Sequence, residues 1–239
     1  MEPFTYAYYE TVITELQAHD YEFVTYGDTE AILDPDRKCV VLRHDVDISP
    51  LCIPPIMRIE HRNNAVSTYF FMVSSPLYNP FDVEVVQIVH TLRAYGNQIG
   101  LHFNFLDGGL GDDYTTLSEC VLDQLALFER AYGFNADIVG YHSPPNTGVN
   151  SVPIPVPHNF DGFYANNLYY MGDSKCVLLH DFIDVIGSGA HPKIQLLTHP
   201  VWWSDKRNTP FLAIRRALAL TSQHTDEWLE NNFKIFRSV

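Results

Sequence analysis

Basic residues are scarce in this chain. Its 239 residues include 15 Lys plus Arg against 29 Asp plus Glu, a formal charge of −14 at pH 7, and so acidic a surface repels phosphate backbones and anionic headgroups instead of collecting them. Nucleic acid is therefore not an expected partner. Long apolar runs are absent: no stretch approaches the roughly eighteen residues that would cross a bilayer, so no membrane insertion is expected. The start, Met1-Glu2-Pro3-Phe4-Thr5-Tyr6, lacks the basic opening, apolar run and small-residue cleavage site of a secretory signal, and the expected location is cytoplasmic. Cysteine is sparse and scattered: Cys39, Cys52, Cys120 and Cys176 form no C-x-x-C pair, which excludes a zinc ribbon or a dense disulfide framework and predicts buried thiols. Internal repeats and low-complexity tracts are missing as well.

What is present is the balance of a folded globular protein, 46% hydrophobic, 13% aromatic and 18% charged, which excludes intrinsic disorder. Strand-length apolar runs alternate with stretches of helical period: Cys39–Leu42 then Pro54–Arg62, Val66–Val73 then Asp82–Tyr95, Gln98–Leu101 then Leu117–Tyr132. Strand then helix, three times over, implies parallel βα units. Further strands are expected at Asp137–Tyr141, Gly162–Ala165, Cys176–Leu179 and Ile194–Thr198, seven in all. The prolines between Ser143 and Asn159 predict a long surface loop. Tyr6–His19, with Tyr9, Val12, Ile13 and Leu16 on one stripe, predicts a covering helix, and Phe211–Phe236 predicts another with one face on the sheet. Nothing marks a boundary, so residues 1–239 are expected to form one domain.

Groups able to ligate a metal or move protons gather just past the expected strand ends. Arg43-His44-Asp45-Val46-Asp47 follows the first, His102 the third, Tyr141-His142 the fourth and Thr198-His199-Pro200 the last. In a parallel α/β barrel these ends share one rim, the face on which such folds build active sites. Asp45 and Asp47 alternate with Val46, so on an extended backbone their carboxylates point to one side, where two like charges call for a cation or a proton. On this pair alone, capping of the following helix explains the residues equally well; His102, His142 and His199 on the same rim favour a site. The remaining histidines fit structural or solvated roles, and the G-x-S-x-G elbow of a serine hydrolase is absent around Ser143.

In order along the chain, Leu42-Arg43-His44-Asp45-Val46-Asp47, Ser67-Thr68-Tyr69-Phe70-Phe71, Gln98-Ile99-Gly100-Leu101-His102, His142-Ser143-Pro144-Pro145 and Leu196-Leu197-Thr198-His199-Pro200 resemble the motifs of polysaccharide deacetylases, the carbohydrate esterase family-four superfamily. The resemblance is narrower to a divergent branch with Arg-His-Asp-Val-Asp and His-Pro-x-Trp-Trp motifs, and it spans about Tyr6 to Trp203. It implies a deformed (β/α) barrel, commonly of seven parallel strands, and metal-dependent removal of an N-acetyl or similar acyl group from an amino sugar or glycan precursor. It also implies Asp45 as catalytic base, Asp47 as metal ligand and His199 as general acid.

Two departures matter. The family's second metal histidine, four residues after the first, is here Leu106, and the arginine that opens its third motif is here His142. The changes are expected to compensate, with Asp47, His102 and His142 holding the metal while Arg43 or water orients Asp45. Two nitrogens and a carboxylate with open positions suit Zn²⁺ and also accept Ni²⁺ or Co²⁺. Tyr141, Asn146, Asp173 and Trp202 are expected near the substrate, with Trp202 and Trp203 serving either as a stacking platform for sugar rings or as core. The expected location favours a nucleotide-linked or lipid-linked sugar as substrate. Two other readings remain open: a decayed deacetylase fold acting as a carbohydrate-binding or scaffold protein, and hydrolysis of another small amide on the same rim.

Overall fold

A strand covered on both faces reads as a nearly continuous apolar run, because its pleat sends alternate side chains into two different cores. Lys38–Val46 has that composition, and eight of its nine residues are buried. The computed structural model describes residues 2–104, 114–142, 154, 156–159 and 162–233. Along it run α1 (Tyr6–Ala18), β1 (Tyr21–Val24), α2 (Thr29–Leu33), β2 (Lys38–Val46), α3 (Ile53–Arg62), β3 (Thr68–Phe71), α4 (Val83–Ala94), β4 (Gln98–Asn104), α5 (Tyr114–Tyr132), β5 (Val139–His142), α6 (Gly162–Asn167), β6 (Tyr169–Gly172), α7 (Phe182–Ser188), β7 (Lys193–Thr198) and α8 (Pro210–Asn232).

The strands form one seven-stranded sheet in the order β5-β4-β3-β2-β7-β6, with β1 beside the first half of β2. Every pairing is parallel, and the sheet curls into the expected deformed barrel. β2 is its axis: Lys38–Val41 pair with β1, Arg43–Val46 with β3, and Cys39–His44 with β7 on the opposite side. The outer face carries the larger cores. Thr5 caps α1 by accepting from the Tyr8 amide, and α1 then buries Tyr8, Tyr9, Val12, Ile13 and Leu16 in a cluster shared with Val40, Leu42, Phe182 and Ile194.

Four expectations are corrected. Gly162–Ala165 lies in α6, and Cys176–Leu179 follows a 3₁₀ turn at Ser174–Cys176 instead of forming a strand; β1 and β6 take their places, so the number seven holds with two members exchanged. Runs of four apolar residues carry too little periodicity to separate strand from helix. β2 and β4 extend through Arg43–Val46 and through Asn104, which puts Asp45 and His102 on strands and not beyond them; the barrel interior, unlike a sealed core, accepts polar side chains at its open end. α8 leaves the sheet alone. It buries Ala213 and Ala217, Ala217 against Cys52 and Val201 in the turns that follow β2 and β7, because small residues let a helix approach loops closely, while Leu212, Leu218, Trp228 and Phe233 are exposed. Of the cysteines, all free, Cys39 and Cys52 are buried and Cys120 and Cys176 only partly. No helix among the described residues is long and apolar enough to cross a membrane.

A polar knot ties the outer face together. Glu60 on α3 accepts hydrogen bonds from Tyr9 and Tyr69, each at 2.6 Å, and lies 2.6 Å from His44 Nε2, whose Nδ1 is 2.6 Å from the Thr198 hydroxyl. Burial alone would push the Glu60 carboxyl's pKa up, but the contacts with His44, Tyr69 and Tyr9 outweigh it and hold it below the usual 4.5. A carboxyl depressed in the folded state contributes stability above its unfolded pKa and loses it as pH falls through the folded value. Glu60→Gln is therefore expected to cost about 2 kcal/mol at pH 7, with the gap to wild type closing below pH 4.5. Urea midpoints from pH 7 to pH 3 test this; parallel curves for the two proteins would refute it.

Candidate metal centre

The alternation along β2 sorts its polar residues. His44 faces the outer knot, whereas Arg43 and Asp45 face the barrel interior, where the Arg43 guanidinium grips Asp45 with two parallel bonds of 2.7 Å, Nε to Oδ1 and Nη2 to Oδ2. This fork-to-fork geometry is the strongest form of the pair. Beneath it lies Phe70 of β3, with the guanidinium carbon 5.2 Å from its ring centre. Two glycines make room for that ring: a Cβ at Gly100 would come within 2.7 Å of it and one at Gly140 within 2.6 Å. His102 and His142 follow two residues after these glycines on the same strand faces, so the strands that clear space for the aromatic floor also raise an imidazole each at its rim.

Asp47, just past β2, meets both. His102 Nε2 lies 3.1 Å and His142 Nδ1 3.4 Å from Asp47 Oδ1, and one ligand atom from each of the three residues lies within 4.8 Å of the others. His102 is fully buried; its Nδ1 is 3.2 Å from the Gly140 carbonyl, which as an acceptor fixes the proton on Nδ1 and turns the Nε2 lone pair toward Asp47. Yet neither His102 Nε2 nor Asp47 Oδ1 has a hydrogen-bond partner among the described residues. Two buried acceptor atoms left facing each other are costly, and a cation between them removes the cost. The donor set, two imidazole nitrogens and a carboxylate, fits a divalent ion of the zinc type. Contact with Asp47 raises the His142 pKa above its usual value.

His199 follows β7 and closes the third side. Its Nε2 is 3.7 Å from Asp47 Oδ2, and its Nδ1 is 2.6 Å from Asp173 Oδ1. Burial would lower the His199 pKa, yet the Asp173 carboxylate outweighs it and lifts it to about 9. Asp173 is fully buried, and its other oxygen accepts from the Trp203 indole at 2.8 Å. Asp173 thus stands behind His199, not against a substrate, and Trp203 is core, stacked among Phe4, Tyr8 and Tyr9. Neither Asp45 nor Asp47 caps a helix. Asp45, Asp47, Tyr141, His142, His199 and Trp202 all line one cavity of about 850 Å³; Asn146 lies outside the described residues. Sequence reasoning singled out Asp173 as a substrate contact, but not its support of His199 or its bond to Trp203.

In sequence the chain matches no protein-family model and none of the curated proteins. In structure it is similar to peptidoglycan deacetylase PdaC from Bacillus subtilis in its D285S mutant form, with TM-score 0.51 and 14% identity over 84% of this chain and 100% of that one. It is also similar to a mutant of BA3943, a CE4 family pseudoenzyme, with TM-score 0.51 and 14% identity over 80% of this chain; there it spans 64% of the other protein's length. The chain has the fold of the polysaccharide deacetylases.

Proposed function

We propose that the chain is a metal-dependent hydrolase that removes an N-acetyl or similar acyl group from an amino sugar or glycan precursor. One observation carries this reading: His102 Nε2 and Asp47 Oδ1, without hydrogen-bond partners among the described residues, meet at the wall of a cavity that Asp47 lines together with a carboxylate gripped by arginine and a histidine backed by a buried aspartate. Asp47, His102 and His142 would hold the ion, most simply Zn²⁺, with Ni²⁺ or Co²⁺ as alternatives. The ion supplies Lewis acidity, polarising a carbonyl oxygen and acidifying water. Asp45, with its lone pairs fixed in direction by Arg43, takes the proton of the attacking water. His199 carries its proton on Nε2 because Nδ1 is committed to Asp173, and delivers it to the departing amine. Trp202, on the cavity wall, offers aromatic surface to a sugar ring, whereas the Tyr141 ring is packed on Phe103 in the outer core. A nucleotide-linked or lipid-linked sugar is the proposed substrate, acted on in the cytoplasm.

A second reading, a sugar-binding protein without turnover, is favoured by the Arg43 grip itself, since it holds both oxygens of Asp45 and lowers its pKa against the effect of burial. Chelation separates the two. Acetate release from N-acetylated oligosaccharides and nucleotide sugars should vanish after treatment with a zinc chelator and return on adding back Zn²⁺. Release that is unaffected by the chelator would overturn the metal-dependent mechanism, and no release under any metal would favour the binding reading.

A further inference from the structure

Asn159 is the most buried polar side chain in the cavity wall with no assigned partner. It is 6% exposed, lines the same cavity as Asp45 and His199, and neither its Oδ1 nor its Nδ2 has a hydrogen-bond partner among the described residues. Its backbone is nonetheless fixed: Val139 N donates to Pro157 O at 2.9 Å and Asn159 N donates to Val139 O at 3.0 Å, so residues 157–159 run beside β5 as a short extra bridge. A carboxamide held this firmly and left without partners among the described residues costs more than an apolar residue of its size would. In binding pockets a few such polar groups, set among aromatic walls, fix a ligand's orientation.

We propose that Asn159 is a substrate-binding residue that takes two neighbouring polar groups of a sugar ring, a vicinal hydroxyl pair or a hydroxyl beside the acylated nitrogen. A carboxamide presents one acceptor and two donors side by side. Neighbouring ring substituents offer the complement, and because each hydroxyl both donates and accepts, a diol is satisfied whichever way the amide is turned. A simple amide without hydroxyls would leave half of Asn159 unpaired. The residue therefore selects a sugar-borne acyl group over the same group on an alkyl chain, which sharpens the substrate class proposed above and rests on that reading.

Calorimetric titration of N,N′,N″-triacetylchitotriose into the full chain tests this without turnover. Asn159→Leu should weaken binding roughly tenfold or more, the loss of one to two hydrogen bonds. Asn159→Asp, which still accepts from two hydroxyls, should stay within about threefold of wild type; both variants should keep wild-type zinc stoichiometry, and Asn159→Leu should unfold at or above the wild-type thermal midpoint. Equal affinity in the Leu variant, equal weakening in both variants, or no binding by wild type would each overturn the proposal. Acetate release is followed in parallel. Binding without release would sink the hydrolase reading and leave the Asn159 contact standing, whereas release with undiminished affinity in Asn159→Leu would do the reverse.

Discussion

Replacing Asp45 by Asn is expected to lower acetate release by roughly 10²–10⁴-fold, the span a positioned general base supplies, while zinc stays at wild-type stoichiometry. The two readouts separate because of where the carboxylate sits. Its nearer approach to the metal set is 3.5 Å, from Oδ2 to His102 Nε2, and both oxygens are committed to Arg43 at 2.7 Å. Asparagine keeps the shape and one carbonyl acceptor for the guanidinium but has no basic oxygen. It also turns an amide donor toward Arg43, so a modest loss of stability should accompany the loss of turnover. Arg43 makes Asp45 a weaker base than an ordinary carboxylate, and a weak base works only if the proton leaves it within the same turnover. His199, on the far side of Asp47, is placed to protonate the amine. Single-turnover acetate release and elemental mass spectrometry on one preparation check both halves. An active variant removes Asp45 from the base role, and a variant that loses zinc makes it a ligand.

How much of this was legible in the sequence follows from the range of the contacts. Asp45 and Asp47 sit two residues apart, so their common direction needs only an extended backbone, and the order of strand and helix segments was enough to bring His102, His142 and His199 to one end of a parallel sheet. Arg43 is equally local to Asp45, and it was available as a candidate for that reason. Asp173 is different. Its partners His199 and Trp203 are 26 and 30 residues away, and the pairing of β6 with β7 that unites them involves a strand that was not among those expected. Glu60, on the apolar face of α3, looks in sequence like a misplaced charge; only the folded chain brings Tyr9 of α1 and Tyr69 of β3 to satisfy it. Asn159, in the proline-rich stretch, gave no signal at all, since a polar residue in a loop is the ordinary case. The direction of α8 failed for a related reason: a helical stripe predicts that one face is covered but not by what, and the alanines proved the better guide.

Removal of the metal ligands should separate into two grades. Asp47→Ala and His102→Ala are expected to abolish stoichiometric zinc and, with it, acetate release. Both atoms are buried and unpartnered among the described residues, and His102 is locked by the Gly140 carbonyl, so each supplies a preformed lone pair. Loss of a supporting group around a metal typically costs 10–100-fold in affinity, and loss of either of these two buried ligands should exceed that. His142→Ala is expected to weaken binding by about 10²-fold without abolishing it, because His142 ends a strand at the sheet's edge, has a side chain 28% exposed, and leaves a position that water can fill. His199→Ala is the control: its Nε2 is 3.7 Å from Asp47 Oδ2 and its other nitrogen is tied to Asp173, so zinc should stay while turnover falls. Zinc affinities by competition with a chromophoric chelator measure all four. Full affinity in His142→Ala would remove it from the set and leave the substitution of the usual arginine by histidine without a metal role, whereas loss of zinc in His199→Ala would make the proposed proton donor a fourth ligand and require another source for the amine's proton.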